Sequence, residues 1–393
     1  MNADISIFLV ASITIPFLYL AQALEALAYG HRPELPQYGF VVFEVSKIIF
    51  GVLLVLFLKM GFYGVLISVM LAYATQAAFL SIQQSKLLTS SIDWRIAAQW
   101  IKSSWLPAYG MVPSTIMALD VFIVTALTGS TEPAAYWRAA QVIFGVVGYS
   151  TYLASALYPK LLSGGGRKDI EIILKLVLMF IVPMVVGASV LAKPLLGILR
   201  SEYTVASDIL RVGVFATAIS SLVSVLGGVI SGIEEVDKEG KLSFHKLLKS
   251  KLFLLPSINI AASSMYLAFV FIFTKFSLSF YKGETYLIIP FYANVGLLVV
   301  QALMLTCLYI LVKRVVKFTF PIKSLLKCLA ASFPMVIAFY LCPPSGSFMT
   351  IVEILAGGCV YFSFLFLIDK ESRELVVAGM RLVQNKFFRK NDS

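Results

Sequence analysis

Charge is what this 393-residue sequence has least of: Asp, Glu, Lys and Arg together make up 13% of it. Soluble domains carry roughly 25% charged residues, so most of this surface does not face water. Histidine is nearly absent, with only His31 and His245. No His/Glu metal spacing and no Ser/His/Asp set stands at membrane depth, which argues against an intramembrane hydrolase. The four cysteines, Cys307, Cys328, Cys342 and Cys359, all fall in apolar stretches without CxxC spacing, so neither a disulfide framework nor a metal site is expected. Loops are short, the longest about twenty residues, leaving no room for a soluble catalytic domain. There is no P-loop and no dinucleotide glycine pattern; Ser163–Gly166 reads as a flexible turn with no strand before it. The chain opens on a block long enough to span, so no removable signal peptide is expected. Asn391-Asp392-Ser393 matches a glycosylation sequon but falls on the expected inner side, where the match is chance.

What the sequence does have is apolar length. Apolar residues fill 59% of the positions and the mean hydropathy is +0.89. They come in long runs instead of period-2 or narrow-stripe patterns, as lipid-facing helices require. A hydrocarbon core of roughly 30 Å takes about 20 residues of helix. Such blocks stand at 5–29, 40–58, 61–83, 104–128, 134–158, 170–192, 205–233, 251–274, 286–312, 321–342 and 347–368. Eleven spans are therefore expected, in an all-α polytopic membrane bundle.

The net charge of +11 first suggests nucleic acid, but the basic residues lie in short loops between apolar blocks. With the N-terminus outside, 23 Lys and Arg fall on the inner side and five on the outer. That asymmetry is the positive-inside rule. It places the C-terminus in the cytoplasm of a cell membrane and leaves no role for nucleic acid.

Two segments are expected to lie along the bilayer surface. Ser90 and Asp93 form a capping-box pattern ahead of Trp94, Ile96, Trp100 and Ile101. The tail, 369–393, sets Val376, Met380, Val383 and Phe387 at helical spacing among basic residues. It suits an anionic inner leaflet; a partner-docking helix is the competing reading.

Seven prolines fall inside spans: Pro16, Pro107, Pro113, Pro183, Pro256, Pro290 and Pro334. Each frees a backbone carbonyl, which a membrane tolerates where neighbouring helices or water satisfy it. Asp120 lies about seven residues from the outer end of the fourth span, roughly 10 Å deep at 1.5 Å per residue. A carboxylate there costs a few kcal/mol and needs a partner, a cation or a proton. Arg138 stands about four residues into the fifth span, a depth difference of roughly 5 Å that a long side chain covers. Two readings stay open: a cation or proton site at Asp120 with an anion-binding Arg138 in a central cavity, or an ion pair that closes the hairpin. Glu25, Glu44 and Lys47 mark the inner ends of the first two spans, where Glu44 and Lys47 can pair on one helix face or line a passage. Gln22, Gln141, Asn259 and Asn294 either line a cavity or stitch helices together.

Three stretches carry a family resemblance. Residues 18–71 run through a basic turn into a hairpin with Gly61 and Gly64 at its bend. Residues 105–159 set Asp120 before an outer turn and a Tyr136-x-x-Ala139 helix that ends in Tyr158-Pro159. Residues 191–232 hold the turn LAKPLLGILRSEYTVASDIL and the span after it. In order and spacing these resemble the polysaccharide flippases of the multidrug/oligosaccharidyl-lipid/polysaccharide exporter superfamily. The resemblance implies a MATE-like fold of two six-helix lobes with two extra helices, both termini inside. Residues 91–318 would be the second lobe, 319–368 the two extra spans and 369–393 the tail. Residues 1–90 would then be a remnant of the first lobe lacking about three N-terminal spans. A weak internal echo between 21–47 and 226–252 agrees with a repeat.

The function so implied is translocation of a polyprenyl-phosphate-linked oligosaccharide across the cytoplasmic membrane by alternating access. Arg138 would offset the phosphate charge, Na+ or H+ would couple at Asp120, and no further cofactor or covalent chemistry is needed. Glycan-biosynthesis enzymes are the expected protein partners. The alternatives are a cation-coupled multidrug exporter of the same superfamily, a membrane glycosyltransferase or polymerase, and a non-transporting membrane scaffold.

Overall fold

The computed structural model describes residues 5–32, 34–89, 93–154, 166–232, 250–280 and 285–376. Among them there is no strand, and the chain divides into two compact units, 1–100 and 101–393. Ten helices are long and apolar enough to cross a membrane, and they leave large apolar side chains bare, among them Phe333, Leu355 and Leu367. A water-facing protein does not expose such a surface, whereas lipid covers it at no cost. The protein is a polytopic helical membrane protein.

In the first unit, α1 (Ile5–His31), α2 (Leu35–Gly51) and α3 (Gly61–Gln83) pack around Ala21, Leu24, Ala28, Leu35, Ala77 and Leu80. Small residues on the facing turns let the backbones approach, as helix association in lipid demands. α2 starts five residues before the expected span because Pro36 occupies its first turn, where a missing N–H costs nothing. It ends in a π-helical turn, Val52–Phe57. The bend that follows has Gly61 at φ +55°, a left-handed conformation that favours glycine. Gly64 then abuts the Leu54 carbonyl so closely that a Cβ would stand 3.1 Å from its oxygen. Both glycines of the turn thus have a steric reason. After the short α4 (Ser85–Leu88), α5 (Trp94–Ser103) is amphipathic, with Trp94 and Ile101 bare and Asp93 Oδ1 accepting the Arg95 amide at 2.8 Å. Ser90 of the capping pattern lies outside the described residues.

The second unit begins with α6 (Trp105–Thr128), closed by Gly129 at φ +65°, and α7 (Glu132–Gly148), opened by Pro133. Here the helix type departs from the expectation. The fifth span is not one long helix but the 17 residues of α7 followed by a 3-10 turn, Tyr149–Ala154. Roughly 25 Å of α-helix plus roughly 12 Å of 3-10 helix still match a bilayer; residues 155–165 lie outside the described set. Next come α8 (Arg167–Val190), α9 (Ala192–Leu199), a 3-10 turn (Ser201–Ala206), α10 (Ser207–Gly232), α11 (Lys251–Phe280) and α12 (Thr285–Val315). Of Ser163–Gly166 only Gly166 is described; it caps α8, its N–H donating to Asp169 Oδ2 at 3.0 Å. The main core lies among α7, α8, α10, α11 and α12, with Trp137 and Tyr266 fully buried.

A second core forms where α13 (Ile322–Leu341) and α14 (Ser347–Ile368) pack on α8. Its Tyr361 hydroxyl donates to the Met179 carbonyl at 2.9 Å. Past α14, helical residues 370–376 are moored by Lys327 to Asp369, at 2.7 Å, and by Lys175 to Glu371. Val376 packs against this second core, while Met380, Val383 and Phe387 lie outside the described residues.

Candidate functional site

Inside the second unit α6, α10, α11 and α12 line a cavity of about 410 Å³. Pro113 enters from α6, Ser224 from α10, Asn259 and Tyr266 from α11 and Gln301 from α12. Proline at position 113 removes the hydrogen bond its own N–H would have donated to the Tyr109 carbonyl. The Tyr109 ring meanwhile stacks on Phe253, with centroids 4.9 Å apart, and its hydroxyl meets Ser257 Oγ at 3.1 Å. The Gln301 Oε1 atom is buried and has no hydrogen-bond partner. Among hydroxyls and amides, that free acceptor is where a water, a cation or a ligand hydroxyl would be held.

Asp120, buried on α6, is tied into this wall. Its Oδ2 accepts the Tyr266 hydroxyl at 3.2 Å and its Oδ1 accepts the Val121 amide at 2.6 Å. The partner that a carboxyl at this depth needs is thus a tyrosine on α11. Arg138 is exposed on α7, and its Nη1 donates to Gln141 Oε1 one turn away on the same helix. Among the described residues no ion pair joins Arg138 to Asp120. The hairpin is not closed by that pair, and the guanidinium keeps most of its donors free.

The remaining candidates separate clearly. Asn259 lines the cavity. Asn294 does not: fully buried, it accepts the Trp137 indole N–H at 3.2 Å and donates to the Ile209 carbonyl at 3.1 Å. Both ends of its amide stitch α7 and α10 to α12. In the first unit, Glu25 accepts Gln76 Nε2 at 2.6 Å between α1 and α3, and Gln22 is exposed. Lys47 pairs with Glu44 at 2.6 Å and lies 5.0 Å from the centre of the Phe43 ring.

A second cavity, of about 390 Å³, has a different chemistry. It is walled by hydrocarbon, with Val146 from α7, Met184 and Pro183 from α8, Leu195 from α9, Phe339 from α13 and Phe362 from α14. Sequence reading passed over four residues that matter here: Tyr266, Gln301, Gln76 and Glu353. The first three look like ordinary members of long apolar helices. Glu353 carried a signal, being the one charged residue in the 22 of α14.

Among solved structures, the chain is similar to a lipid II flippase MurJ in an inward closed conformation. The TM-score is 0.59 and the identity 20%, over 94% of this chain and 75% of that one. No protein-family model matches the sequence, and no curated protein matches it. At that identity the likeness is one of fold: the two helical bundles share their architecture.

Proposed function

We propose that this protein is a flippase that carries a polyprenyl-phosphate-linked oligosaccharide from the inner to the outer leaflet of a cell membrane by alternating access. The observation that carries the reading is the presence in one unit of two cavities of unlike chemistry. One bears hydroxyls and amides beside a buried carboxyl; the other is walled by hydrocarbon. An amphiphile with a polar head and a long apolar tail needs both environments. The fold likeness to a lipid II flippase supports the same class of cargo.

In this account Arg138, exposed and only singly engaged, offsets the phosphate charge. The apolar cavity receives part of the prenyl chain, while most of the tail stays in the bilayer. Asp120 takes up Na+ or H+ and passes the effect to α11 through Tyr266. Basic loops face an anionic inner leaflet, and glycan-assembling enzymes supply the cargo.

Competition binding tests the cargo. The 393-residue chain in nanodiscs is titrated with a short-chain polyprenyl diphosphate sugar against tetraphenylphosphonium. Saturable binding of the lipid-linked sugar, weakened at least tenfold by Arg138→Gln, supports the proposal. Saturable binding of the lipophilic cation alone would make the protein a cation exporter instead.

A further inference from the structure

Glu353 stands six residues into α14, roughly 9 Å along the helix from Ser347. Its side chain is nine-tenths buried, and both carboxyl oxygens are sealed from solvent with no hydrogen-bond partner. An ionised carboxylate left so would cost several kcal/mol or more, whereas the neutral acid costs only what any unpaired polar group costs.

The surroundings explain why no partner comes. A cavity of about 390 Å³ at the turn between α13 and α14 touches Glu353, and Pro343 and Pro344 line it from the turn. Prolines have no N–H to offer. Cys342 is the other titratable group on that cavity. α13, α9 and α8 pack against α14. On α13, Lys323 is exposed, Cys328 is buried and Lys327 pairs with Asp369; all stand at the far end, about 20 Å away along the helix. Tyr340 is exposed, as is Lys193, the one charge on α9. On α8, Lys168 is exposed, Asp169 accepts the Gly166 amide, Arg167 pairs with Glu171 and Lys175 with Glu371. Among the described residues no group of three His, Cys, Asp or Glu could hold a metal ion.

We propose that Glu353 is a proton-binding site, holding a proton in this structure and exchanging it through the cavity at the α13–α14 turn. A proton needs one oxygen and no further ligand, which is what the unpartnered carboxyl offers. This group is separate from Asp120 and its role does not depend on the cargo.

Infrared difference spectroscopy of the 393-residue chain in phosphatidylcholine nanodiscs tests it. At pH 7.5 the protein should show a carboxylic-acid C=O band that Glu353→Gln, a neutral isostere, lacks, and the band should shift on transfer to D2O. Ala356→Leu, which keeps Glu353 and narrows the cavity, should slow that shift at least tenfold. Absence of the band, a band that never exchanges, or an exchange rate unchanged in Ala356→Leu would each overturn the proposal.

Discussion

Tyr266 on α11 donates its hydroxyl to Asp120 Oδ2 on α6 across 3.2 Å. The same tyrosine forms part of the polar cavity wall. One phenol therefore links the buried carboxyl of α6 to the cavity wall on α11.

Tyr266→Phe removes that donor and leaves Asp120 with the Val121 amide alone. An under-satisfied buried acceptor costs about 1–3 kcal/mol, so thermal unfolding in nanodiscs should show a loss of that size. Because the two groups act as a unit, the Asp120→Asn/Tyr266→Phe variant should fall short of the summed single losses by about 0.5–3 kcal/mol. Strict additivity would mean the contact carries no energy.

Asn294 and Asn259 look alike in sequence and should behave oppositely. Asn294→Ala breaks bonds to both Trp137 and Ile209; interhelical hydrogen bonds in membranes average about 0.6 kcal/mol, and the vacated space adds to that, giving about 1–3 kcal/mol. Asn259→Ala, at a cavity wall, should stay within about 0.5 kcal/mol of the parent while altering ligand binding. Equal stability losses for the two would contradict the assignment.

Gly357 sits beneath the Phe339 ring, where an added Cβ would collide with it. Overpacking of about 1–3 kcal/mol exceeds the roughly 1 kcal/mol that alanine gains in helix propensity. Gly357→Ala should therefore be destabilising, and Phe339→Leu in that background should recover part of the loss. A stabilised Gly357→Ala protein would show that the ring yields freely.

Asp369 lies just past the end of α14. Burial pushes its carboxyl up, but the Lys327 ammonium and the Ser372 hydroxyl outweigh this and hold it below the ordinary aspartate range. A depressed folded value means stability that is present above the ordinary value of about 3.9 and is lost as pH falls through the folded one. The unfolding temperature should drop as pH falls below the ordinary aspartate value, and Lys327→Met should flatten that limb. An identical acid limb in Lys327→Met would place its origin elsewhere.

The bundle was legible because lipid imposes a simple pattern: blocks of about 20 apolar residues can be little but spans. The fifth span differs in helix type, where α7 gives way to a 3-10 turn, because composition does not distinguish the two helix types. Gly61 and Gly64 were readable as a bend, although the reason for Gly64 lies in a carbonyl brought close by a π-helical turn. Asp120 and Arg138 stood out as costly residues at membrane depth. Their partners did not: Tyr266 is 146 positions from Asp120, and sequence spacing reports only neighbours on the same helix. Asn294 and Asn259 show the same limit, since their sequence contexts are equivalent and packing decides which one stitches and which one lines.

Leaflet exchange measured under an imposed ion gradient tests the central claim most directly. Vesicles holding the 393-residue chain should move a polyprenyl-diphosphate-linked glycan between leaflets faster than protein-free vesicles, at a rate that responds to a Na+ or H+ gradient. Asp120→Asn should abolish that response. No movement above the protein-free rate, or an Asp120→Asn protein that still follows the gradient, would contradict the account.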